Sequence, residues 1–189
     1  MKSGVLKTLH DDHVNISRLL DLLESEIERL DADGTAPDFE LITLALEYCV
    51  DYPGHYHHPR EDLVYDRLVR RDPMLAGKIT ELTRDHTTLS EKTNTFATAV
   101  GGAIAGDGTT AARTLGRSFL ARYRRHIDIE EGEIFPAAHE HLTQEDWEKI
   151  EVAASSPPDP LFGDHVRDAY RALHRRIMKR AENNTNKNG

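Results

Sequence analysis

Apolar residues recur along the chain at alternating intervals of three and four, the stripe of an amphipathic helix. The first segment carries Leu6, Leu9, Ile16, Leu20, Leu23, Ile27 and Leu30, with His13 where an apolar residue is expected. A second reads Phe39, Ile42, Leu46, Val50, Pro53, His57, Glu61, Val64 and Leu68, so two successive stripe positions are polar. The third gives Leu75, Ile79, Leu82, His86, Leu89, Thr93, Phe96 and Val100. The fourth gives Leu115, Phe119, Tyr123, His126, Glu130, Ile134 and Ala137. No strand-like alternation of any length interrupts these stripes. The pattern predicts an all-α chain, an up-down-up-down four-helix bundle with an additional C-terminal helix.

The punctuation agrees. Asp33-Gly34-Thr35-Ala36-Pro37-Asp38 breaks the first stripe, and Asp38 is placed to cap the next helix. Asp72 and Pro73 suit the N-cap and first position of the third. Gly101-Gly102 and Gly106-Asp107-Gly108 make a flexible connection to the fourth. Pro53 and Pro59 each remove a helical hydrogen bond, which predicts a kink or bulge close to His57. Thr143 followed by Asp146 resembles a capping box that opens a short helix through Trp147 and Ile150. Ser155 to Pro160 reads as a linker, and about Asp164 to Ala181 as a last helix with the stripe Val166, Tyr170, Leu173 and Ile177. Its Arg167, Arg171, Arg175, Arg176, Lys179 and Arg180 make a basic, solvated face. The expected organisation is a bundle over residues 1–142, a helical extension packed on it over 143–182, and a disordered tail over 183–189.

Composition narrows the classes. The 189 residues are 38% apolar and 30% charged, ordinary for one globular domain. No apolar run approaches the roughly 20 residues of a membrane span. The first residues lack an apolar core, so no secretory signal is expected. A net charge of -9 argues against nucleic acid and anionic lipid as partners. Cys49 stands alone, which excludes an intrachain disulfide and fits a reducing cytoplasm.

The chemistry lies in the polar stripe positions. His13, His57, His86 and His126 occupy one stripe each, and two are followed one turn later by a carboxylate: His57-x-x-x-Glu61 and His126-x-x-x-Glu130. An i,i+4 pair shares a helix face, so each pair aims two metal-ligand side chains inward. A buried carboxylate costs several kcal/mol unless it is paired or metal-bound. Arg60 and Arg125 flank the motifs, but their helical phase points them away from the seam. The expected site is therefore a metal centre of His13, His57, Glu61, His86, His126 and Glu130. Imidazole plus carboxylate without thiolate suits iron or manganese, and zinc or copper less well. Two iron ions bridged by an oxo or hydroxo group are the leading expectation.

These residues resemble the hemerythrin-like, or HHE cation-binding, family over about Leu6 to His141. The motifs are His13 in Leu9-His10-Asp11-Asp12-His13, then His57-His58-Pro59-Arg60-Glu61-Asp62, Asp85-His86, and His126-Ile127-Asp128-Ile129-Glu130-Glu131 running on to Ile134-Phe135-Pro136. The resemblance implies a non-haem di-iron site inside the bundle, with Glu61 and Glu130 as bridges. Two departures stand out. Oxygen-carrying members place two histidines one turn apart on the third helix, and here the first of them is Leu82. They also place the last acid five residues after the last histidine, which would select Glu131, whereas the stripe favours Glu130. His10 and Tyr123 are candidates to complete the coordination, and His58 and Glu133 lesser ones.

Three functions are compatible with that reading. The first is a di-iron protein that binds, senses or handles dioxygen, nitric oxide or iron, as a monomer or homodimer. The second is an enzyme that decomposes peroxide, with Tyr123 and Tyr56 as electron relays. The third is a bundle that its metal merely staples. No catalytic side chain is singled out for any of them.

Overall fold

The computed structural model describes residues 4–30, 36–154, 159, 161–162, 173–177 and 179. Among them there is no strand. Helix α1 spans Gly4–Glu28, and α2 spans Phe39–Tyr52. A π-helical turn, Pro53–His57, joins α2 directly to α3, His58–Arg71. A 3₁₀ turn at Pro73–Leu75 leads into α4, Ala76–Ala105. Helix α5, Thr110–Ile129, runs through a second π-helical turn, Glu130–Ile134, into α6, Phe135–His141. Helix α7 covers Gln144–Ala153.

The four predicted segments thus become four rods, two of them (α2–α3 and α5–α6) interrupted by a π-turn. Helix α4 packs on α2 and α5, while α1 packs on α5 and α2, closing the bundle. The caps form as the residue types require. Asp38 accepts from the Leu41 N–H at 3.0 Å, and Asp72 from the Met74 N–H at 3.0 Å. Thr143 and Asp146 complete a reciprocal capping box at the start of α7. Gly106, with φ at 97°, ends α4 in the left-handed region that a side chain would strain.

Both π-turns have one construction. The N–H of His58 bonds to the carbonyl of Pro53, and that of Phe135 to the carbonyl of Glu130, five residues back in each case. The next residue is Pro59 in the first and Pro136 in the second, neither of which has an N–H to continue the regular ladder. The bulge expected near His57 is present. Its twin at Glu130 carries the same proline signal.

The core divides in two. One apolar cluster gathers Ile16, Leu20, Tyr52, Leu89, Phe96, Phe119, Tyr123 and Ile127 among others. The other gathers Leu9, Val64, Leu68, Leu82, Ile134 and Phe135, with Trp147 and Ile150 of α7. On every rod the polar stripe residues fall between members of the two clusters: His13 between Leu9 and Ile16, His86 between Leu82 and Leu89. The bundle therefore holds a polar layer between two apolar ones.

Of the C-terminal helix, residues 173–177 are described as helical, and Leu173 and Ile177 are buried against the first cluster. Arg176 pairs with Asp38 and lies 3.8 Å from Glu26. The linker, apart from Asp159, most of the expected last helix and the Asn-rich tail lie outside the described residues. No described helix is long and apolar enough to cross a membrane.

Candidate metal centre

All six expected side chains meet in the polar layer. Helix α1 supplies His13, the first π-turn His57, α3 Glu61, α4 His86, α5 His126 and the second π-turn Glu130. Glu61 and Glu130 are fully buried, and each histidine is below a tenth exposed. His58 joins them. Its Nε2 is buried without a partner, and its ring stacks on that of His86 at 4.0 Å. A π-turn packs more residues into one turn, so successive side chains diverge less than in an α-helix. His57 and His58 consequently both face inward, so the neighbouring rod brings an imidazole beside His86 although Leu82 offers none.

The two carboxylates sort the imidazoles into two groups. Glu61 Oε1 lies 3.0 Å from His57 Nε2 and 3.3 Å from His13 Nε2. Its other oxygen lies 3.4 Å from His86 Nε2. Glu130 repeats the arrangement, with Oε2 3.3 Å from His13 Nε2 and Oε1 3.2 Å from His126 Nε2. One half of the layer thus collects His13 and His57, the other His58, His86 and His126, and both acids span the two. Donor atoms of His13, His57 and Glu61 lie within 4.8 Å of one another, as do those of His58, Glu61, His86 and His126.

Neither acid has an arginine or lysine partner among the described residues; their ion-pair neighbours are the imidazoles. Burial pushes the Glu61 carboxyl up, but the His57 charge and the close imidazoles of His13 and His86 hold it well below the usual range. Glu130 is likewise held down, against both burial and the Glu61 charge, by His126 and His13. Burial works to lower His86, yet Glu130 and Glu61 raise it to about 9. His13 is raised in the same way by Glu130, Glu131 and Glu61. His58 goes the other way, pushed well below its ordinary value by burial and by the neighbouring His86.

The layer is thus a buried pair of carboxylates whose charge the surrounding imidazoles alone offset among the described residues. Nε2 of His13, His58, His86 and His126, both oxygens of Glu61 and Oε2 of Glu130 have no conventional hydrogen-bond partner. Orphaned buried donors and acceptors are costly and rare in folded proteins. Seven of them converging from four rods fit a metal centre in number, chemistry and direction.

Further side chains hold this set in place. Glu131 sits 2.7 Å from His13 Nδ1 and 3.1 Å from His10 Nδ1. Asp12 sits 3.0 Å from His57 Nδ1 and accepts from the Tyr52 hydroxyl at 3.2 Å. A carboxylate only accepts, so Nδ1 carries the proton and Nε2 of both rings is free to face the cluster. Tyr65 donates its phenolic hydrogen to Glu130 Oε1, and burial with the Glu61 and Glu130 charges keeps that phenol protonated.

The remaining candidates separate. Glu130 occupies the cluster and Glu131 the position behind His13. His10 is more than half exposed and reaches Glu131 rather than the cluster. Tyr123 is buried with an unpartnered hydroxyl. Glu133 is exposed and paired with Lys78. Tyr56 is partly buried on the Tyr52 ring at 5.8 Å. Arg60 does not point away as its phase suggested: it is buried, with Nη1 3.4 Å from both Asp12 Oδ2 and the Tyr52 hydroxyl. The buried face of α3 is wider than its stripe, and the Asp12 charge draws the guanidinium into it. Asp12 stands in the first motif without a role assigned to it, and Tyr65 in none. Tyr65 had a signal, one turn beyond Glu61 on the same stripe; Asp12 had none within its own helix.

The family model of the hemerythrin HHE cation-binding domain matches residues 4–138, which take in every residue of this cluster. Neither the curated proteins nor the solved structures compared with the chain gave a match.

Proposed function

This chain belongs to the hemerythrin HHE cation-binding domain family, and from that premise we propose that it is a non-haem di-iron protein that binds or senses a small diatomic ligand, dioxygen or nitric oxide. His13 and His57 would hold one iron, and His58, His86 and His126 the other, with Glu61 and Glu130 shared between them. The observation that carries this reading is the orientation of the two acids, each presenting one oxygen to each imidazole group. Iron is favoured over zinc by a hard set of imidazole and carboxylate without thiolate; the one cysteine, Cys49, belongs to the first apolar cluster. Bound there, an iron pair supplies redox-active Lewis-acid chemistry toward a diatomic ligand or peroxide.

The protein's own part is to shape and dry the site. Phe135 stacks on His13 at 5.3 Å, and the two apolar clusters cover the layer from both ends. Low polarity around the donors strengthens every charge interaction inside. Glu131 and Asp12 fix the His13 and His57 rings, and Tyr65 fixes one oxygen of Glu130.

Anaerobic loading with ferrous iron, followed by exposure to dioxygen, nitric oxide and hydrogen peroxide in turn, tests the proposal. A visible or near-ultraviolet change that saturates with dioxygen or nitric oxide and reverses when the gas is removed is expected. His57→Ala and Glu61→Ala should abolish it while the helical circular dichroism is kept. Sustained consumption of peroxide would instead identify a di-iron enzyme. A loaded protein indifferent to all three would reduce the metal to a structural staple.

A further inference from the structure

The two halves of the polar layer differ in what stands behind their imidazoles. In the His13–His57 half, each ring has its Nδ1 against a carboxylate, Glu131 at 2.7 Å and Asp12 at 3.0 Å. Each acid is itself anchored, Glu131 by His10 at 3.1 Å and Asp12 by Tyr52 at 3.2 Å and Arg60 at 3.4 Å. In the other half no described carboxylate is hydrogen-bonded to the Nδ1 of His86 or His126. His126 Nδ1 is buried without a partner. The nearest acid to His86 Nδ1 is Asp62, at 3.7 Å and half exposed, too far for a hydrogen bond. His58 contacts other rings rather than an acid.

An anionic acceptor on the Nδ1 proton makes the opposite nitrogen of an imidazole a stronger donor, and such partners tune both affinity and potential. Building on the di-iron reading above, we propose that Asp12 and Glu131 are positioning residues that make the His13–His57 half the electron-rich one, so that its iron is the ferric ion when the pair carries one ferric and one ferrous iron. The shared acids cannot create this difference, because Glu61 and Glu130 each give one oxygen to either half. The extra imidazole opposite is neutral and does not offset a full negative charge.

The two arms are unequal. Arg60 shares the charge of Asp12, whereas the other partner of Glu131 is an exposed histidine. Glu131 also makes the shorter contact. Replacing Glu131 therefore has the larger effect.

The test is spectroelectrochemistry of the iron-loaded full chain, with iron content measured on each sample. The electrode supplies one electron per step, each reducing one ferric ion to ferrous. Two resolved steps are expected. Glu131→Gln and, less strongly, Asp12→Asn should raise the lower potential while the upper stays in place. Asp62→Asn, on the other half, should move neither. Mössbauer spectra of the half-reduced protein should show one ferric and one ferrous iron, and Glu131→Gln should blur that localisation.

A purely structural role for the two acids predicts lost iron with unshifted potentials in the iron that remains, and that result overturns the proposal. So do two coincident steps in the unsubstituted protein, or an upper potential that shifts instead of the lower. If Asp12→Asn unfolds the chain, Glu131→Gln, at a partly exposed side chain, still decides. A chain that takes up no iron at all fails the di-iron reading itself, a separable outcome.

Discussion

Glu61 and Glu130 are fully buried carboxylates whose charged neighbours are imidazoles, and this fixes how single residues should behave. Their charge raises the proton affinity of His13, His57 and His86, so a metal ion entering the layer would compete with protons there. Elsewhere, residue effects are those of packing. A β-carbon on Gly116 would come within 2.8 Å of both Ile27 Cδ1 and Phe96 Cζ, so this glycine is what lets α5 approach α1 and α4. Gly116→Ala should cost about 1–3 kcal/mol by overpacking, read as a lowered urea midpoint with an unchanged slope. An unshifted midpoint would mean the rods separate without penalty. Cys49 offers a second check. Burial pushes its thiol up to about 12, and the thiolate is the reactive form. Iodoacetamide should leave the native chain unlabelled at mildly alkaline pH and label it fully in urea; equal rates in both would contradict this burial.

At the scale of elements, the π-turns matter most, because they place His57 and Glu130 and bring His58 round to the cluster. The first was legible, since Pro53 and Pro59 bracket it. The second had the same cue in Pro136, but the unbroken stripe from His126 through Glu130 to Ile134 concealed it. Periodicity reveals which residues share a rod's inner face, and it found His13, His57, Glu61, His86, His126 and Glu130. It cannot reveal pairing between rods, so Asp12 behind His57 was invisible, the i,i+4 cue of Tyr65 did not say that it reaches Glu130, and Arg60 lies on the buried side against its phase. Local chemistry was read well, as the capping box of α7 shows. That box also makes a prediction: Thr143→Ala should destabilise the fold by about 1 kcal/mol, because α7 buries Trp147 and Ile150 against α3 and α1. An unchanged thermal midpoint would show that α7 frays without consequence for the bundle.

Across the whole molecule, the bundle is two apolar cores joined through a polar layer that is costly until a cation fills it. Metal binding and stability are therefore linked, and a ligand that binds only the folded state stabilises it by about 2.7 kcal/mol at a hundred times its dissociation constant. Ferrous iron should accordingly raise the thermal midpoint of the unsubstituted chain and leave that of Glu61→Ala nearly unchanged. The most direct test of the central claim is the iron content of anaerobically reconstituted protein after removal of free metal, taken with its near-ultraviolet spectrum in air. About two irons per chain with intense ligand-to-metal bands are expected, falling sharply in Glu61→Ala. A folded, helical protein that retains no iron, or only one iron unaffected by loss of Glu61, would contradict that claim.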